Sequence, residues 1–147
     1  MDSKGYSTVP DHICPACGSA AGFVTEARDK VIDYKGRTAV IPALTLRYCV
    51  ACGEGFDAGN TEMQRMADTL HAFMRDVDAA QAAQLRATRK RLGLKQAEAA
   101  ALFGGGVNAF SEYERGIRQP SKSTLLLLQL LDRHPELLAE LRHGPGH

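Results

Sequence analysis

Residues 102–116 read LFGGGVNAFSEYERG, and the fold depends on how that stretch divides. Three consecutive glycines, Gly104 to Gly106, interrupt a run whose other residues suit a helix. A tight turn between two steeply crossing helices needs residues free to take positive φ, which glycine does without steric cost. Before the turn, Lys95 to Phe103 carries Ala99, Leu102 and Phe103 as an apolar line. After it, Val107 to Glu114 places Phe110 and Tyr113 inward at i and i+3, leaving Asn108, Ser111 and Glu112 outside. The stretch therefore predicts helix, three-glycine turn, helix.

Gln96 to Arg115 fits the twenty-residue helix-turn-helix pattern without a gap, with small Ala100 at the helix contact, Gly104 at the turn and Phe103, Phe110 and Tyr113 at core positions. In such a unit the second helix lies in the DNA major groove. Asn108, Ser111 and Glu112 are then candidate base-facing residues, with Gln96, Lys95, Arg115 and Arg118 the further candidates for DNA contact near the helix ends. The competing reading is an ordinary helical hairpin with no nucleic acid.

Upstream, Gln84 to Leu92 predicts another helix, set off by Gly93-Leu94. Downstream, Ser121 or Ser123 can cap a further helix, and LLLLQLLDRH followed by PELLAELR holds more leucine than one face of a small helical domain buries. The surplus predicts a homodimer, which matches a palindromic operator; a leucine-rich core without a partner is the alternative.

The N-terminal half is built differently. Cys14-Pro-Ala-Cys17-Gly and Cys49-Val-Ala-Cys52-Gly share the form C-x-x-C-G, with 31 residues between Cys17 and Cys49. Two such pairs converge four thiolates on one ion and leave no open coordination position, so the expectation is one structural zinc per chain, held by Cys14, Cys17, Cys49 and Cys52. Redox dithiols and plain buried cysteines are the other readings. His12 lies near Cys14 and is expected to be an exposed histidine.

Between the knuckles, FVTEARDKVIDYKGRTAVIPALTLRY has strand character, with a hairpin turn at Tyr34-Lys35-Gly36-Arg37 and Val40, Leu44, Leu46 and Tyr48 spaced as one face. A sheet this small buries little, a physical reason for a metal. After it, Asn60-Thr61 with Gln64 reads as a capping box. It heads a helix whose stripe, Met63, Met66, Ala67, Leu70, Phe73, Met74 and Val77, is expected on the sheet, with a partner protein as the other taker of that face; His71 lies off the stripe.

Composition and charge divide in the same way. Residues 1–78 hold 8 Lys+Arg against 11 Asp+Glu, and residues 79–147 hold 10 against 6. The basic half faces an anionic partner or is merely solvated. Two domains are expected, 1–78 and 79–147, the join lying in the small, polar, helix-compatible DVDAAQAAQ. The fold class is an α+β zinc-binding domain of small antiparallel sheet plus helix, followed by an all-α helix-turn-helix domain of the lambda-repressor-like type. No window approaches the ~18 apolar residues of a membrane span, and the opening residues lack a signal-peptide layout, so a cytoplasmic, membrane-free protein is expected. In that reducing compartment metal ligation is favoured over disulfides. No Ser/His/Asp, paired-carboxylate or phosphate-loop constellation stands out, and an enzyme is not expected.

Over residues 12–142 the chain resembles the MqsA-type, also called YgiT-type, antitoxin family, through CPACG, YCVACG, FGGGVNAFSEYERG, QPSKST and LLDRHPELL in that order. The resemblance implies a type II antitoxin: a zinc domain that masks a small, typically mRNA-cleaving ribonuclease toxin, and a dimeric Xre-like domain that represses the operon promoter. It carries the ligand role to the four cysteines and the adenine-reading role to Asn108. Two departures stand out. Glu112 occupies the place of a base-reading arginine, and Lys95 that of a helix-capping serine or threonine. A solitary zinc-containing regulator without a toxin, and a thiol oxidoreductase using the C-x-x-C pairs, are the competing functions.

Overall fold

The computed structural model describes residues 10–57 and 59–144. The N-terminal extension, to which the sequence assigns no role, and the tail HGPGH lie largely outside them. The chain forms two compact units, one ending at Met74 and the other beginning at Arg75.

The first unit is a three-stranded antiparallel sheet in the order β1-β2-β3, comprising β1 (Phe23–Tyr34), β2 (Arg37–Cys49) and β3 (Gly55–Phe56). The hairpin turns at Lys35-Gly36, where both residues take positive φ, 50° and 76°. This is the turn whose twist suits flanking strands. Pairing runs from Phe23 opposite Cys49 to Tyr34 opposite Arg37, with one irregularity where Arg28 faces Leu44 and Lys30 faces Ile41. Asp29 alone thus stands against Pro42 and Ala43. The bulge accommodates Pro42, which has no amide to give, and it reverses the alternation of faces. Ile41, Leu44, Leu46 and Tyr48 are buried while Val40 is exposed, so the expected inward place of Val40 is corrected: counting by twos fails across an inserted residue. Ala43 takes φ 47°, and its amide donates to Asp29 Oδ1 at 2.9 Å.

The short strand β3 was not anticipated. Two residues carry almost no periodic signal, but Gly55 opposite Tyr48 is sterically required: a Cβ there would lie 2.8 Å from the Tyr48 ring and 2.9 Å from Leu46 Cδ1.

Helix α1 runs without interruption from Thr61 to Arg91, uniting the two helices expected on either side of DVDAAQAAQ. Met66, Leu70 and Phe73 of the expected stripe pack on the sheet core of Ile32, Ile41, Leu44, Leu46 and Tyr48, while Met63, at its head, is exposed. Its start departs from the expected box. Asp57 accepts from the amides of Gly59, Glu62 and Met63 at 3.0, 2.7 and 3.0 Å, while the Gln64 side chain donates forward to Asp68. Asn60 is in the left-handed region, φ 62°, which turns the chain back so that Asp57 reaches the orphan amides. The first turn also grips the bulge: Arg65 donates to the carbonyls of Pro42 and Ala43, each at 3.0 Å. Glu62 accepts from the Thr45 amide at 2.8 Å.

The second unit is helical: the end of α1, then α2 (Gln96–Phe103), α3 (Ala109–Glu114), α4 (Lys122–Arg133), a 3-10 turn at Pro135–Leu137 and α5 (Leu138–His143). Its core gathers Leu85, Leu92, Leu94, Ala99, Ala100, Ala109, Phe110, Tyr113, Leu128, Leu131 and Leu138. Of the two candidate caps for α4, Ser121 serves, its Oγ accepting from the Thr124 amide at 3.1 Å. Leu126 and Leu130, four apart on α4, stay exposed, the surplus that leucine counting anticipated.

Candidate metal centre and nucleic-acid interface

Each knuckle closes in the same way. The amide of Gly18 donates to the Cys14 carbonyl at 2.8 Å, and that of Gly53 to the Cys49 carbonyl at 2.9 Å. Both glycines have positive φ, 73° and 79°, which explains the residue after each second cysteine. The strands bring the two knuckles together, since Phe23 lies opposite Cys49 and the Val50 amide donates to the Gly22 carbonyl at 3.0 Å.

Consequently the ligand atoms of Cys14, Cys17, Cys49 and Cys52 all lie within 4.8 Å of one another, with Cys14–Cys52 and Cys17–Cys49 Sγ separations of 3.8 Å. Four thiolates placed tetrahedrally at about 2.3 Å from one ion are about 3.8 Å apart. The group is positioned to bind a metal ion. Cys14 and Cys49 are buried, Cys17 and Cys52 exposed, and none is in a disulfide.

The electrostatics of the bare thiols fit the same demand. Cys49 is pulled down to about 7, chiefly by the Cys52 amide donating to it, with help from the Ala51 amide and neighbouring thiols against partial desolvation. At Cys52 the Glu54 amide acts downward, but desolvation and the three other thiols together push it up to about 12. Cys17 is also raised, the Ser19 amide being outweighed by desolvation and neighbouring thiols. Thiols that raise one another in this way are best ionised together when a cation shares their charge, as a thiophilic dication does. His12 is exposed and outside the group, as expected.

The second candidate site is the α2–turn–α3 segment. Gly104, Gly105 and Gly106 take φ 82°, 95° and 98°, the positive values expected of the triplet. At Gly105 space matters as well, since a Cβ would stand 2.8 Å from Tyr113 Oη and 3.1 Å from Ala109 Cβ. Helix α3 begins two residues later than Val107. Asn108 is its N-cap residue, with a side chain that makes no capping bond and is exposed. Phe110 and Tyr113 are buried as expected, while Ser111 and Glu112 are half-buried.

Of the other candidates, Lys95, Gln96, Arg115 and Arg118 are exposed, but three have side chains engaged within the unit. The Gln96 side chain donates to Glu114 Oε2 at 2.6 Å, Arg115 Nε donates to the Ser111 carbonyl at 3.2 Å, and Arg118 pairs with Glu112 at 3.0 Å. Lys95 sits at the N-cap of α2, where Glu98 Oε1 accepts from its amide at 3.3 Å; this half of a capping box offsets the missing serine or threonine.

Sequence reasoning missed the brace behind these helices. Arg89 of α1 pairs with Glu114 of α3 and donates to the Leu94 carbonyl at 2.7 Å. An arginine at the edge of an amphipathic pattern carries no mark of its partner. The Glu62–Arg65 grip did leave a trace, in a proline within a strand and a Glu/Arg pair at i, i+3.

A sheet whose four cysteines are positioned for a metal ion, followed by a helical unit with a glycine turn between two of its helices, defines a protein of two modules. The chain matches the family model described as "Antitoxin component of bacterial toxin-antitoxin system, MqsA" over residues 12–142. It is similar to Antitoxin MqsA of Escherichia coli (strain K12), 40% identical over 131 residues, which cover 88% of this chain and 98% of that protein. The chain belongs to the MqsA antitoxin family, and is the antitoxin component of a toxin-antitoxin system with a cognate toxin as partner. No helix among the described residues is long and apolar enough to cross a membrane.

Proposed function

We propose that this antitoxin is a non-enzymatic cytoplasmic regulator that masks a ribonuclease-type toxin with residues 1–78 and represses its own promoter with residues 79–147. The observation that carries the reading is the presence in one chain of a closed Cys14–Cys17–Cys49–Cys52 cluster and an α2–α3 pair with Asn108 exposed at the head of its second helix. Zinc is the ion whose chemistry suits four thiolates at these separations, and its role is structural: it holds the two ends of a sheet too small to stand alone. The acidic balance of residues 1–78 suits a basic, RNA-binding toxin.

On the DNA side, Asn108 is the base reader, since its amide can bond bidentately to adenine, with Ser111 beside it. Lys95 and Arg115 are the exposed cations for phosphate, and Gln96 flanks them. The exposed Leu126 and Leu130 of α4 support dimerisation through residues 79–147, which matches a palindromic operator.

Two experiments test the halves separately. Asn108→Ala should cost about 1–3 kcal/mol in operator binding and relax discrimination at one position per half-site; equal affinity for operator and scrambled duplex in the parent protein would refute the DNA reading. In pull-downs from the native operon, residues 1–78 should recover the toxin. Recovery by residues 79–147 alone would reverse the assignment.

A further inference from the structure

We propose that Arg118 is a positioning residue of the recognition unit and not one of its phosphate contacts, an inference that rests on the DNA-binding reading above. Its guanidinium is engaged within its own unit on three sides. Nε lies 3.0 Å from Glu112 Oε2, Nη2 donates to the Gly105 carbonyl at 2.7 Å, and Cζ stands 5.2 Å from the Tyr113 ring centroid. One planar fork thus ties the glycine turn that precedes α3 to the outer and inner faces of α3 itself. The backbone reinforces the tie, as the amides of Ile117 and Arg118 both donate to the Glu112 carbonyl, at 2.9 and 3.4 Å.

Helix α3 is six residues long. A helix of that length has no directional stability of its own, so what braces it decides where Asn108 and Ser111 point. Gly105 makes room for the brace. A Cβ there would stand 2.8 Å from Oη of Tyr113, the ring beside the Arg118 guanidinium, and so crowd it, while meeting Arg118 Nη2 itself in ordinary contact at 3.7 Å. The chemistry also argues against a phosphate contact. A phosphate could take the guanidinium only by displacing Glu112, exchanging one anion for another with little gain. Glu112 is spent in the same way: its carboxylate holds Arg118 and reads no base.

Charge and geometry separate at this residue. Lysine keeps the positive charge that a phosphate contact needs, but a single ammonium cannot span the Glu112 carboxylate and the Gly105 carbonyl as the fork does. The test measures binding of a selected operator duplex against salt concentration, using the full-length chain as wild type, Arg118→Lys, Arg118→Met and, as a phosphate-contact control, Lys95→Met. Arg118→Lys and Arg118→Met are expected to weaken binding alike, by roughly tenfold, with the wild-type salt slope retained. Loss of one phosphate contact, by contrast, reduces that slope by about one.

Wild-type affinity in Arg118→Lys, or a slope reduced by about one in Arg118→Met, would overturn the proposal. A second measurement on the unmodified chain does not depend on how the variants fold. The Arg118 Nε–H resonance should be protected in the free protein and keep its chemical shift when operator is added; a large shift on binding overturns the proposal. A wild-type chain that binds no duplex removes the DNA reading, and this inference with it, an outcome distinct from a bound complex with the wrong Arg118 behaviour.

Discussion

Arg89 on α1 and Glu114 at the end of α3 form an ion pair with 10% and 5% of their side chains exposed, and both have further partners, the Leu94 carbonyl and the Gln96 amide. A pair so enclosed is costly to break on one side, because the surviving charge stays in a poorly hydrated place. Glu114→Ala should destabilise residues 75–147 by about 3–5 kcal/mol. Arg89→Met with Glu114→Leu should recover most of that loss. Urea denaturation followed by helical circular dichroism makes the comparison; equal stability of parent and Glu114→Ala would show that the pair has no such role.

The same carboxylate sets an acid limit on the second unit. Desolvation acts upward on Glu114, but hydrogen bonds from Arg89 and Gln96 and the charges of Arg89 and Arg86 outweigh it, holding the carboxyl below its usual 4.5. A group whose folded pKa is depressed stabilises the fold above its unfolded value, and that contribution is lost as pH falls through the folded value. Unfolding free energy should therefore drop below about pH 4.5 in the parent, and this part of the drop should vanish in Glu114→Gln.

Gly104 and Gly105 separate two reasons for glycine. Both have positive φ, but no atom lies within 4 Å of a Cβ placed at Gly104, whereas at Gly105 Tyr113 Oη stands 2.8 Å away. Alanine at Gly104, where φ 82° and ψ −170° lie in a region essentially reserved for glycine, should cost about 1–3 kcal/mol for the backbone alone. Alanine at Gly105 should cost more and shift the Tyr113 ring, which thermal melts and aromatic proton spectra would register. Equal losses at the two positions would argue that the turn relaxes away from Tyr113.

Asp57 should matter more to the start of α1 than the residues that look like its cap. The Gly59 amide, then those of Met63 and Glu62, hold its carboxyl below its usual 3.8. Asp57→Ala should lower the melting temperature of the first unit, while Gln64→Ala leaves it nearly unchanged. The Asp57 contribution should also fade on acidification below 3.8, by the same sign as at Glu114.

Stripping the metal should dissolve the sheet and spare the helices. Strong chelation, or Cys49→Ser, should expose the amides of residues 23–56 to hydrogen exchange while those of α2 to α5 keep their protection. Metal analysis of the intact chain should return one zinc. Indifference of the sheet amides to chelation would mean that its 3.8 Å sulfur spacings are not what supports it.

The features legible in the sequence were those written in local spacing: C-x-x-C-G twice, a Lys35-Gly36 hairpin turn, a three-glycine turn between amphipathic runs, and Phe110 and Tyr113 one helical turn apart. Residue type alone carries such signals, because positive φ and paired thiolates are demands on single residues or near neighbours. Tertiary structure decided what depends on partners far along the chain. The bulge opposite Asp29 turned Val40 outward, since pairing with β1 sets the register. Asp57 took the cap because Asn60 bent the chain toward it. Glu114, a charged residue one helical turn on from buried Phe110, became internal because Arg89, twenty-five residues earlier, reached it across the packed helices. Glu112 met Arg118 for a similar reason: a charge declares its sign in the sequence, while its counter-charge is chosen by the packing that brings two surfaces together.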